Sequence, residues 1–142
     1  MTIQSILQGR GGEIYSCAAD IPVSQAVEIL AEKRIGALPV LNGDKVVGIF
    51  SERDVLHCLR QHGRDALDHA VRDVMTADVI SVERTKSVMG ALSLMTKRRI
   101  RHLPVVEDGK LVGFVSIGDL VKYRIDKIEG EAAAMRDYIQ ST

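Results

Sequence analysis

Residues 35–54 read IGALPVLNGDKVVGIFSERD, and residues 100–119 read IRHLPVVEDGKLVGFVSIGD. The second stretch follows the first at a spacing of 65 residues without a gap. Extending that register aligns Ile14–Cys58 with Val79–Tyr123, and 13 of the 45 pairs are identical, among them Arg34/Arg99, Pro39/Pro104, Gly48/Gly113, Ser51/Ser116 and Asp54/Asp119. A fixed internal period decides architecture before any local propensity does. One copy is marginal as a folding unit. Two copies therefore imply a single pseudo-twofold body with two equivalent clefts, in which two sheets face each other across a shared core.

Within each copy the pattern is strand–helix–strand–strand–helix. Short apolar strands are expected at Ile14–Cys17 and Val79–Val82. Val23, Ala26, Val27 and Leu30, matched by Val88, Ala91, Leu92 and Met95, repeat at i, i+3, i+4, i+7 and mark one helix face. Ser87 can cap the second helix, and Pro22 stands at the equivalent place in the first. Asn42-Gly43 and Asp108-Gly109 supply tight hairpin turns. A final helix begins at Ser51 and at Ser116, the first ending near Gly63. The fold class is α+β, with helices outside the sheets.

The organisation expected from this reading is an N-terminal extension with a glycine joint (1–13), repeat one (14–63), a linker (64–78) in which Val71, Val74 and Met75 pack across the join, repeat two (79–125) and a further C-terminal helix (126–142). The glycines at 9, 11 and 12 form a flexible joint. They make no P-loop, because no Gly-Lys-Ser/Thr follows.

Composition narrows the function. The chain has 142 residues, 46% of them apolar, and 19 acidic side chains balance 19 basic ones. Zero net charge disfavours a general nucleic-acid or membrane-surface binder, which needs a broad positive field. Two Phe, three Tyr and no Trp leave little for base stacking. No apolar run is long enough for a membrane span, and no signal peptide is visible. Cys17 and Cys58 fit no CxxC motif and read as packing residues of a reducing, cytoplasmic protein. The four histidines show no metal-ligand spacing, and nothing orients a nucleophile. No catalytic and no metal residues are assigned, and no catalytic cofactor is expected.

The Leu-Pro-Val strand, the turn and the Gly-apolar-apolar-Ser-x-x-Asp run, twice in register, resemble the tandem CBS-domain pair, or Bateman module. The resemblance covers roughly residues 14–125, with no catalytic domain attached. It implies a regulatory sensor that binds an adenine nucleotide (AMP, ADP, ATP or NAD(H)) between the repeats and signals to an unidentified partner protein by a conformational change. It also implies a homodimer of paired modules. A dimerisation module with inactive clefts and a cryptic nucleotide hydrolase are the rival readings.

Ser51-x-x-Asp54 and Ser116-x-x-Asp119 are capping boxes in their own right. The resemblance adds that each aspartate faces a cleft and receives a ribose diol. Lys97, Arg98 and Arg99 complement a helix C-terminus. Arg101 and His102 stand before the Leu-Pro-Val strand, where repeat one has Gly36 and Ala37, and offer donors to phosphate. Carried over residue by residue, the resemblance builds each cleft from both repeats. Cleft one takes Ser51, Arg53, Asp54, Val79, Ile80, Ile100, Arg101 and His102. Cleft two takes Ile14, Tyr15, Ile35, Gly36, Ala37, Ser116 and Asp119. Arg53 either reaches phosphate or is solvated, and Tyr15 either stacks on adenine or packs. Cleft two lacks the basic pair, so cleft one is expected to be the tighter nucleotide site, and cleft two to bind an uncharged adenosine end, bind weakly or stay empty.

Overall fold

The computed structural model describes residues 1–9 and 13–141. Repeat one comprises β1 (Cys17–Ala18), α2 (Val23–Lys33), β2 (Ala37–Asn42), β3 (Lys45–Ser51) and α3 (Glu52–His62), preceded by α1 (Ile3–Gly9). A 3-10 turn (Gly63–Asp68) and α4 (Val71–Val74) lead into repeat two, with α5 (Val88–Arg98), β4 (His102–Glu107), β5 (Lys110–Ser116) and α6 (Ile117–Ser141). β1 pairs parallel with β2, and β2 antiparallel with β3. β4 and β5 repeat the hairpin, with the same bulge one residue past the Pro-Val pair.

The expected strand at Val79–Val82 reduces to a parallel bridge, Val82 to Val105, held by N–H bonds of 3.0 and 2.9 Å. The first strand likewise starts at Cys17 rather than Ile14. The two turns differ. Asp108 and Gly109 both take positive φ, as a type I′ turn requires. In repeat one the two-residue loop is Gly43-Asp44, with positive φ at Gly43 alone, so the turn lies one residue later than Asn42-Gly43 suggested.

The core is divided rather than shared. Val23, Ala26, Leu30, Leu38, Val40, Phe50 and Cys58 form one buried cluster, and Val88, Ala91, Met95, Leu103, Val105, Val115 and Leu120 form another. Each repeat seals its own helices onto its own hairpin, because a two- or three-stranded sheet is covered on one face by its two helices. What crosses between repeats is the segment before each of them. Ile3 and Ile6 of α1 are buried in the core of repeat two, while Val71 of α4 is buried in that of repeat one, with Val74 and Met75 packed against it.

These two segments are equivalent. Ile3 N–H donates to Lys86 O and Gln4 N–H to Arg84 O, as Val71 N–H donates to Ile21 O and Arg72 N–H to Ala19 O. Ile-Gln-Ser-Ile-Leu at 3–7 thus matches Val-Arg-Asp-Val-Met at 71–75, at a spacing of 68 rather than 65. The expected N-terminal joint therefore contains a packed helix. Gly9 ends it, and Gly11 and Gly12 lie outside the described residues. At the other end, the expected boundary at 125/126 falls inside one unbroken helix, α6.

Candidate functional site between the repeats

Helix α3 starts where β3 ends, and the capping box fixes its first turn. Ser51 N–H and Oγ both donate to Asp54 Oδ2, at 2.9 and 3.1 Å, and Asp54 N–H reaches back to Ser51 Oγ at 3.4 Å. The other carboxylate oxygen, Oδ1, accepts from Thr76 Oγ1 at 3.1 Å. Thr76 is held by β3 in turn, through paired backbone bonds with Ile49 of 2.9 Å each. A carboxylate has about four acceptor directions, so one remains on Oδ1, beside the Thr76 hydroxyl.

The opposite wall comes from repeat two. Helix α5 ends at Arg99, in the left-handed region at φ 55°, and Ile100 N–H closes the turn on Met95 O at 3.0 Å. Arg34 ends α2 in the same way at φ 54°. Glycine usually occupies such a position, since a side chain there is strained. The sharp exit sends Ile100, Arg101 and His102 towards repeat one. The Arg101 carbonyl accepts from Ile117 N–H at 2.8 Å, which pins this segment to the start of α6.

Between the walls lies a cleft of about 500 Å³, lined from repeat one and the linker by Gly36, Ile49, Ser51, Glu52, Arg53, Asp54, Leu56, Thr76 and Asp78, and from repeat two by Ile80, Arg99, Ile100, Arg101 and His102. Seven of the eight residues assigned to cleft one line it. Val79 does not; its N–H turns to Ala77 O at 3.1 Å. Thr76, Asp78, Ile49, Glu52, Leu56 and the cleft-facing position of Arg99 were not expected. Arg53, Arg99 and Arg101 are exposed at the opening.

His102 is half-buried and stacks on Phe114, with centroids 5.5 Å apart and planes 10° apart. Its burial pushes the imidazole pKa down; Arg101 acts in the same direction, and Asp119 and Glu52 oppose it. The neutral ring is therefore favoured near pH 7. His102 lines the cleft, and its partner across the hairpin is Ser116, the first residue of the second Ser-x-x-Asp.

The residues assigned to cleft two are less gathered. Gly36 lines the first cleft instead. Ala37 is buried in β2, and Ile35 packs on the core of repeat one. Tyr15 packs against the same core, with Lys33 Nζ 5.1 Å from its ring centroid and its hydroxyl donating to Glu13 at 3.3 Å. Ile14 is half-buried. Ser116 and Asp119 repeat the capping geometry at 2.8 and 3.1 Å.

A mixed α/β pair of repeats, each with a Leu-Pro-Val hairpin leading into a Ser-x-x-Asp helix, is matched by the CBS-domain family over residues 12–61 and 71–126. The chain belongs to the CBS-domain family. Among its relatives is the mitochondrial CBS domain-containing protein CBSX3 of Arabidopsis thaliana, 34% identical over 98% of this chain. The chain spans between 60% and 72% of the length of three such curated relatives. A solved protein with CBS domains from Burkholderia ambifaria shares 41% identity at a TM-score of 0.83, covering 89% of this chain and 95% of that one. The CBS domain pair of protein MJ0100, solved with 5′-methylthioadenosine and S-adenosyl-L-methionine, shares 25% identity at a TM-score of 0.76, covering 87% and 98%. Among the described residues, no helix is long and apolar enough to cross a membrane, and no cluster of three metal-ligating side chains occurs.

Proposed function

We propose that this protein is a regulatory module that binds an adenine nucleotide in the cleft between its CBS repeats and passes the change to a partner protein. The observation that carries this reading is the division of one cleft into two chemistries. Asp54 and Thr76 stand on the repeat-one side, and Arg99, Arg101 and His102 on the other. The volume, about 500 Å³, lies within the usual range of small-molecule sites.

In this reading the remaining acceptor direction on Asp54 Oδ1 and the Thr76 oxygen together receive the ribose diol. Oδ2 is committed to the cap. Ile80 and Ile100 flank the base. Arg101, Arg99 and Arg53 bind phosphate oxygens, for which a guanidinium fork is well shaped. The adenosine ligands of the MJ0100 pair support the nucleoside part. The arginines favour AMP, ADP, ATP or NAD(H) over S-adenosylmethionine, whose charge is positive at sulfur. Cleft two, with Ala37 buried in place of a basic residue, is the weaker site.

Because the cleft is built from both repeats, a ligand that bridges them favours one inter-repeat angle over others. A differential affinity of that kind is what signalling requires. The module acts as a homodimer, for which exposed Leu59 on α3 and Val121 on α6 offer apolar surface. Cys17 and Cys58 are free and buried, in keeping with a reducing cytoplasm.

Calorimetric titration with adenosine, AMP, ADP, ATP, NAD and S-adenosylmethionine tests the reading, together with mass spectrometry of whatever co-purifies. Micromolar binding of at least one phosphorylated ligand, tighter than adenosine, is expected. Failure of all six to bind overturns it.

A further inference from the structure

Beyond the two repeats, α6 carries an ordered pattern of its own. From Asp126 to Ser141 every residue except Ala133 is exposed, a length of roughly 24 Å at 1.5 Å per residue. Yet the sequence there is not uniformly polar. Val121, Ile125, Ile128, Ala132, Met135 and Ile139 recur at spacings of 4, 3, 4, 3 and 4 residues. The five larger side chains are 42% to 63% exposed. Alternation of three and four places one seam along a helix and is the signature of a coiled coil. Ile125, Ala132 and Ile139 take the a positions, and Val121, Ile128 and Met135 the d positions.

The charges beside the seam select the occupant. Arg124 and Glu131 fall at g, and Lys122, Glu129 and Arg136 at e. In a parallel pair of identical helices each g residue meets the e residue five places on in its partner. Arg124 then faces Glu129, and Glu131 faces Arg136, so both contacts are attractive and each occurs twice. Turning one helix round with the full seam matched sets Glu129 against Glu129, Glu131 against Glu131 and Lys122 against Arg136, all repulsive. The pattern is thus complementary to itself in one orientation. A solitary helical arm of this length is marginal in water, and pairing removes that difficulty.

The geometry points to a parallel two-stranded coiled coil of α6 with α6 of a second copy of this chain, Val121 to Ile139 forming the seam. The coil sets the two modules side by side, with both repeat-two domains at its base, because Leu120 anchors α6 in the core of repeat two. This inference extends the homodimer of the preceding reading and is independent of any ligand.

The full-length protein carrying Met135→Cys tests it. Cys17 and Cys58 are buried, so the new thiol is the reactive one. Light scattering is expected to give twice the 15.6 kDa chain mass, and mild oxidation a disulfide-linked dimer through residue 135. Glu131→Arg, which faces Arg136 of the partner copy, is expected to raise the dimer dissociation constant roughly tenfold and to slow the cross-link. Adding Arg136→Glu to it restores both. A dimer that does not cross-link at 135, or whose cross-linking ignores the charge reversal, overturns the coil while leaving pairing through the repeats intact. A chain mass of one, or of three or more, overturns the coil as well, the monomer overturning the homodimer with it.

Discussion

The hydroxyl of Thr76, in the linker, donates to Oδ1 of Asp54, in the first turn of α3, at 3.1 Å. Asp54 thereby joins three elements: it caps α3, receives the linker and faces the cleft. Asp54→Ala removes all three at once. Nucleotide affinity is expected to fall roughly 10–150-fold, as losing hydrogen bonds to a charged group implies, and stability to fall by about 1–2 kcal/mol for the cap. Thr76→Val keeps the cap, so it separates the roles. Calorimetry should show weaker nucleotide binding with the thermal midpoint little changed; unchanged affinity in both variants would remove this carboxylate from the site.

Arg101 is exposed, whereas His102 is half-buried and stacks on Phe114. Arg101→Ala is therefore the cleaner probe of phosphate recognition. AMP or ATP affinity should drop and adenosine affinity should hold. The wild-type nucleotide affinity should also weaken with rising salt, since a partly exposed ion pair is screened. Parallel losses for adenosine and AMP would argue against a phosphate contact.

His102 has its pKa lowered by burial, so the unfolded chain takes up a proton before the folded one does. Stability from this group is complete above about 6.5, its ordinary value, and is lost as pH falls below that towards the folded pKa. Thermal midpoints measured between pH 7.5 and 5.5 should decline, and His102→Gln should flatten part of the decline. A slope that is identical in the variant would mean that the ring is not desolvated.

A methyl group on Gly48 would meet the Met75 side chain and the Thr76 carbonyl at 3.0 Å, while the nearest atoms to one on Gly113 are those of the Leu7 side chain, its methyl groups at 2.7 and 2.8 Å. Backbone yields less readily than a side-chain end. Gly48→Ala should therefore cost about 1–3 kcal/mol and Gly113→Ala less, by denaturant titration. Gly48→Ala should also weaken nucleotide binding by displacing Thr76.

Ile3 lies outside both sequence repeats and is fully buried. Ile3→Ala should destabilise the protein by about 2–5 kcal/mol, the usual cost of a core truncation. A change within 0.5 kcal/mol would show that α1 is an ornament of repeat two and not part of its core.

The hairpins, α2 and α5, and both capping boxes were legible from the repeated 20-residue stretches, because period, turn chemistry and caps are local. So were most of the residues of the first cleft, through the family that those motifs resemble. α1 was missed because its partner segment lies 68 residues on, so an ungapped register of 65 hides it. Thr76 and Asp78 were missed for the same reason: they follow α4, the counterpart of α1. The tail from Ile125 to Ile139 was readable as helix, but it was expected as a separate element from 126, whereas α6 runs unbroken through that point, since no residue at 125–126 forces a break.

The sequence by itself determined that there are two copies of one unit, and what each unit is made of, because a hydrophobic period and a cap need only near neighbours. The tertiary structure alone decided that each unit closes its own core with a segment borrowed from beside the other. It also decided that Gly36 lines the first cleft. Those outcomes depend on how two completed surfaces meet, and no spacing along the chain encodes the angle at which they do.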